Sequence, residues 1–126
     1  MRFRTLLAVP FIALTVAGCS SGSGGSSATT PANATVITAI EGIAWDAKSY
    51  TATAVGGEVT ISLVNNSSLP HNLHLIDPEA IDVGLVLVVQ GRGEVDSDSY
   101  PVPANTYQVI CTIAGHGNMK ATLTVT

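Results

Sequence analysis

Glu58-Val59-Thr60-Ile61-Ser62-Leu63-Val64, then Asn65-Asn66-Ser67-Ser68-Leu69-Pro70, then His71-Asn72-Leu73-His74-Leu75-Ile76: this stretch decides the fold. In its first part Val59, Ile61 and Leu63 point one way and Thr60 and Ser62 the other. A half-buried antiparallel strand requires that alternation, because successive side chains leave on opposite faces and only one face meets a core. The Asn/Ser run breaks the pattern as a loop, and a strand resumes from Asn72 to Ile76.

The same period of two, rich in threonine and β-branched residues, continues on both sides of this stretch from Thr35 onward. It predicts further strands at Thr35 to Ile40, Tyr50 to Val55, Leu85 to Gln90, Glu94 to Ser99, Thr106 to Cys111 and Met119 to Val125. About eight short strands with regular turn signals point to an all-β Greek-key sandwich or barrel. Gly56-Gly57 reads as a turn, and so does Pro103-Ala104-Asn105, with Asn105 in the left-handed conformation. Asp77-Pro78-Glu79 carries the one helix-start signal, a capping Asp before Pro and an acid, which predicts one short helical turn to about Asp82.

Upstream of Thr35 the composition changes twice. Met1-Arg2-Phe3-Arg4 and an apolar run from Leu6 to Ala17 form an export signal, too short to be a comfortable bilayer span. The small residues ending at Gly18 before Cys19 have the form of a bacterial lipobox, which makes residues 1–18 a lipoprotein signal peptide and Cys19 the lipidated residue. Residues 20–34 contain only Ser, Gly, Ala, Thr, Pro and Asn, and such a segment buries too little to fold. It is read as a tether with a span of roughly 20 Å. The organisation expected is therefore a signal at 1–18, a lipidated Cys and flexible tether at 19–34, and one folded domain at 35–126. The protein would be exported and held by lipid at the outer face of the cell membrane or in the periplasm.

With 126 residues, 11% of them charged, and only five Lys and Arg, the chain has no basic patch for nucleic acid, and at 5% aromatic residues it has no stacking platform for bases. Removal of the signal leaves Lys48, Arg92 and Lys120 against nine acids. Membrane contact must then come from the lipid and not from charge.

If Cys19 carries lipid, Cys111 has no disulfide partner, although an exported protein meets oxidising conditions. Either Cys111 is a buried, inert small hydrophobe or something occupies it. Its surroundings favour the second. Pro70-His71-Asn72-Leu73-His74 and Cys111-Thr112-Ile113-Ala114-Gly115-His116-Gly117-Asn118-Met119 together hold all three histidines, this thiol and the only Met beyond Met1. A soft thiolate, imidazoles and a weakly held thioether suit copper. Tyr107, Val109 and Cys111 share one face of their strand and point inward, and the short loop carries Gly115 and Gly117 on either side of His116.

On these residues the chain resembles the cupredoxins of the plastocyanin, azurin and amicyanin kind, over roughly Tyr50 to Val125. The first half-signature is matched by Gly57, Val59, Ile61, Leu63, Asn65 and Pro70-His71-Asn72. Thr106, Tyr107, Cys111, Gly115, His116 and Met119 match the second. The resemblance implies one copper ion held by His71, Cys111 and His116 with Met119 as the weak axial ligand. It implies that Asn72, with Thr112, links the two ligand loops, and that electrons enter and leave at the edge of His116, ringed by Leu69, Ala114 and Gly117. Many relatives have Pro where this chain has Ala114.

His74 falls on the opposite face from His71 and reads as a solvent-facing side chain. A zinc site from His71, His74, Cys111 and His116 would need both faces of one strand to reach one ion. Glu94, Asp96 and Asp98 alternate on one face, either as a docking patch for a cationic partner or as a charged edge that resists aggregation. Trp45 reads as a core or rim aromatic.

No Ser/His/Asp set, paired-carboxylate site or phosphate loop is visible. The expected protein is a monomeric blue-copper electron carrier, not an enzyme, serving redox protein partners. Its rivals are an extracytoplasmic copper-delivery or copper-sensing protein and a metal-free adhesion or assembly lipoprotein.

Overall fold

A computed structural model describes residues 29–126. The expected signal peptide, the expected lipidation at Cys19 and the expected tether up to residue 28 lie outside the described residues.

Among the described residues there are nine strands, in chain order β1 (Thr35–Ile40), β2 (Ala44–Trp45), β3 (Ser49–Ala52), β4 (Val59–Asn66), β5 (His71–Ile76), β6 (Asp82–Val89), β7 (Val95–Tyr100), β8 (Asn105–Ile110) and β9 (Lys120–Val125). They form two sheets, ordered β2-β1-β4-β7 and β3-β9-β8-β5-β6. The chain crosses between sheets after β2, β3, β4, β6 and β7, and the architecture is an open sandwich and not a closed barrel. Inner residues from both sheets meet as the core: Ile37, Val59, Ile61 and Leu63 from one, Leu73, Leu75, Leu87, Val109 and Leu123 from the other, all at most 1% exposed.

Two features place the site. His71 opens β5 while β8 runs antiparallel beside it, with His74 opposite Ile110. The start of β5 and the end of β8 therefore share one end of the sandwich, and the loop before β9 returns there. The second feature is β2, a strand of two residues that the periodicity does not reveal. It pairs with β1 through Ala39↔Trp45 and Ile40↔Ala44, and leaves Trp45 3% exposed in the core.

Two turn expectations are corrected. Residues 77–82 contain no helix. Asp77 Oδ1 does accept from the amides of Glu79 (3.0 Å) and Ile81 (2.8 Å), as a cap would. Asp77 N, however, donates to Ile81 O, and Ala80 takes φ +64°, which leaves the right-handed helical region. The capping chemistry closes a β5–β6 loop in place of starting a helix. Asn105 is the second correction: it is the first residue of β8 and does not take positive φ, and its Oδ1 accepts from Thr106 N. Gly56 and Gly57, at φ +62° and +82°, do form the turn, closed by the Val55↔Glu58 bridge.

The acidic run on β7 has a structural task. β6 is the edge of its sheet, and its outward amide at Val88 donates to Asp96 Oδ2 of β7 at 2.8 Å, while in the β6–β7 connection Gln90 N donates to Glu94 Oε2 at 2.6 Å. Side chains thus satisfy an edge that no strand covers. Asp98 Oδ1 accepts from its neighbour Ser99 N. Asp96→Ala is expected to destabilise the fold by about 1 to 2 kcal/mol, seen as a lower urea midpoint with unchanged slope.

Candidate metal centre

His71 is 0% exposed, Cys111 5% and His116 6%. One metal-ligating atom from each lies within 4.8 Å of the other two. Cys111 Sγ is 3.6 Å from His116 Nδ1, and the two imidazoles sit with ring centroids 5.0 Å apart at 41°.

The orientation of His71 follows from the loop before it. Asn65 is 1% exposed; its Oδ1 accepts from Ser67 N and Ser67 Oγ, both at 3.0 Å, and its Nδ2 donates to Leu69 O at 2.8 Å. Ser67 Oγ lies 2.7 Å from His71 Nε2. With the serine proton given to Asn65 Oδ1 or to Leu69 O, 3.2 Å away, the imidazole supplies the proton of the Ser67–His71 bond. That puts hydrogen on Nε2 and leaves the lone pair on Nδ1. His71 Nδ1 is buried and has no hydrogen-bond partner. Burial, and next the adjacent His116, lower the pKa of His71 below the usual imidazole value, against a smaller opposing pull from Glu41. The ring is therefore neutral at neutral pH, the form a metal ligand needs.

A clamp from the β1–β2 hairpin holds the same loop. Glu41 accepts from Ser68 N at 3.0 Å and pairs with Arg92, which also donates to Asn66 O at 3.2 Å. Trp45, brought in by β2, places its ring 6.4 Å from that of His71 at 52°.

The second loop supplies the other groups through two successive turns. His116 N donates to Ile113 O at 3.0 Å, and Met119 N to His116 O at 2.9 Å. Gly115 takes φ +85° at the third position of the first turn, where a type II turn needs positive φ, and Ala114 holds the second position, which suits Pro. Gly117 needs no such conformation. The loop closes where Cys111 N donates to Met119 O at 3.3 Å, which sets the 1% exposed Met119 beside Cys111. Asn72 joins the two loops: its Oδ1 accepts from Thr112 N at 2.7 Å and its Nδ2 donates to Thr112 Oγ1 at 2.8 Å.

Of the residues singled out from sequence, the structure brings together His71, Cys111 and His116, with Met119, Asn72 and Thr112 around them. It keeps His74 apart, on the opposite face of β5, so the four-residue zinc arrangement does not form. Among the described residues Cys111 is a free, buried thiol. His116 is less open than the expectation of an exposed edge implies, while Leu69, Ala114 and Gly117, the residues expected to ring it, are exposed. Sequence reading had Asn65 only as a match to the family signature, with no role assigned, and missed Ser67 and Glu41. Asn65-Asn66-Ser67-Ser68 looks like any polar turn, and the only signal, that Asn65 and Ser67 are buried, exists in three dimensions alone.

An orphaned, buried Nδ1 facing a thiol and a second imidazole is a donor set that fits a soft transition metal such as copper. No protein-family model and no curated protein matches the chain. Solved structures do. Auracyanin B aligns at 25% identity with a TM-score of 0.58, over 78% of this chain and 91% of its own. The reduced auracyanin of the photosynthetic bacterium Roseiflexus castenholzii aligns at 22% and 0.57, over 72% and 94%. An azurin from Methylomonas sp. strain J aligns at 17% and 0.59, over 76% and 99%.

Proposed function

We propose that this chain, a protein of cupredoxin fold, is a type 1 copper electron carrier, with His71, Cys111 and His116 as its strong ligands and Met119 as the weak axial one. The observation that carries the proposal is the convergence of Cys111 Sγ and two imidazoles at a buried point where His71 Nδ1 has no protein partner. Copper, when bound, supplies a one-electron couple between Cu(II) and Cu(I).

The chain's own residues supply rigidity and dryness. Ser67 fixes the ring plane of His71, the Asn72–Thr112 pair fixes the loop after Cys111, and the Ile113–His116 turn fixes His116. Ligands held from outside the site keep their places when the metal's charge changes, which keeps reorganisation small. With His71 wholly enclosed, His116 is the imidazole that reaches the surface, among neutral exposed neighbours. It is the entry point for an electron from a redox partner. The lipobox and tether support an exported protein anchored through Cys19, and the Gly/Ser-type tether gives that head reach to a partner near the membrane.

Titration of the purified protein with Cu(II) tests the reading. The expected result is an intense visible charge-transfer band saturating at one equivalent, with a narrow copper hyperfine splitting. Copper at about 100 times its Kd stabilises the fold by about 2.7 kcal/mol, which raises Tm on the order of 10 °C. A colourless or multi-site response would exclude the carrier reading, and facile loss of copper to an acceptor would favour delivery over electron transfer.

A further inference from the structure

His74 is not the free surface histidine that strand alternation describes. Its side chain is 16% exposed and its ring is engaged at both nitrogens. Nδ1 lies 2.7 Å from Asp82 Oδ2 on β6, and Nε2 lies 3.4 Å from Thr112 Oγ1. Thr112 is the residue after Cys111, and it also takes both contacts from Asn72.

Proton accounting gives this chain one direction. Asn72 Nδ2 donates to Thr112 Oγ1, so the threonine hydroxyl has its own proton to give, and His74 Nε2 is within reach to accept it. An accepting Nε2 puts the ring proton on Nδ1, where Asp82 takes it. The other Asp82 oxygen accepts from Gly84 N at 2.8 Å, so the far end is anchored to β6 backbone. Amide, hydroxyl, imidazole and carboxylate are each satisfied once, and such connected networks hold their members in one arrangement. His74 pairs across the sheet with Val86 and with Ile110, whose side chains share its face and flank the ring.

The location gives the network its consequence. β8 ends at Ile110, so Cys111 and Thr112 leave the ladder just where the thiol must be placed. Beyond the ladder the backbone of Cys111 has only a 3.3 Å bond to Met119 O. We infer that His74 and Asp82 are positioning residues for Cys111: through Thr112 and Asn72 they pin the start of the ligand loop to β5 and β6 at once. The inference deepens the copper reading and rests on it for the spectroscopic half of its test.

The first half uses the full chain without metal and reads amide hydrogen exchange at Thr112, whose N–H Asn72 holds. In His74→Phe, which keeps a ring but removes both hydrogen bonds, exchange at Thr112 is expected to quicken about five- to tenfold, with Val109 in the core unchanged. His74→Gln, which restores an acceptor toward Thr112, is expected to return it to within about twofold of the wild type. The second half reads the thiolate-to-copper band of the loaded protein, which should shift and weaken in His74→Phe and recover in His74→Gln. Asp82→Ala leaves the ring in place and carries the same test should His74→Phe not fold. Wild-type exchange at Thr112, equal acceleration at Thr112 and Val109, or a quickened Thr112 with an unchanged band would each overturn the inference. A chain that takes up no copper would sink the functional reading while leaving the exchange result to decide this one.

Discussion

Cys111→Ser is expected to abolish the visible charge-transfer band and to lower copper affinity by orders of magnitude while leaving the sandwich folded. The thiolate is the donor that makes a copper site intensely coloured, and a serine hydroxyl neither ionises near neutral pH nor offers a soft donor. Serine nearly matches cysteine in volume, so the cost to the apoprotein at this 5% exposed position is about 1 to 2 kcal/mol, from burying a hydroxyl. Absorption and EPR spectra of the copper-treated variant, set beside its urea midpoint, separate loss of the site from loss of the fold. A variant that bound copper with the wild-type spectrum would remove Cys111 from the site altogether.

The second large effect is expected at Ser67, a residue that touches no metal. Ser67→Ala leaves His71 Nε2 without its acceptor in a fully enclosed place, and it frees the ring to carry its proton on either nitrogen. A proton on Nδ1 blocks the lone pair that the site needs. Copper affinity should fall about 10- to 100-fold, the usual cost of losing the group that orients a ligating imidazole. Stability of the metal-free protein should fall by about 1 to 3 kcal/mol. Competition against a chelator of known affinity measures the first, and denaturant unfolding the second. Unchanged affinity would mean that packing against Trp45 and His116 orients His71 without help from the loop.

These two expectations differ in how legible they were. Cys111 stands out in the sequence because it shares a short loop with His116 and Met119, on a strand whose alternation sends Tyr107, Val109 and Cys111 inward; Tyr107, Val109 and Cys111 are all buried. β1 is legible to the residue, Thr35–Ile40, because a run of threonine and β-branched residues is bounded there by the Pro/Ala/Asn stretch before it and Glu41-Gly42 after it. Ser67 was not legible. Its role depends on Asn65 turning inward and on Glu41, far away in sequence, fastening Ser68 from another hairpin. Two residues of β2 are too few to show a period, so the contact between Trp45 and His71 was equally hidden. The helix signal at Asp77 misled because the same side-chain acceptors that cap a helix also close a strand-to-strand loop, and the positive φ of Ala80 decided between them.

By itself, the sequence determined the all-β class, most strand positions, the inward faces of β4 and β8, and the set of soft donors gathered at Pro70–His74 and Cys111–Met119. Period and donor chemistry are local properties, carried by residues a few positions apart. Tertiary structure alone decided which nitrogen of His71 is left open, that Asp96 on β7 caps the β6 edge, and that His74 reaches Thr112 while turned away from His71. The last two depend on hydrogen bonds between segments that strand register and sheet packing bring within 3.5 Å, the first on how the folded 65–70 loop turns Ser67 onto His71, and none of these leaves a periodic trace in the chain.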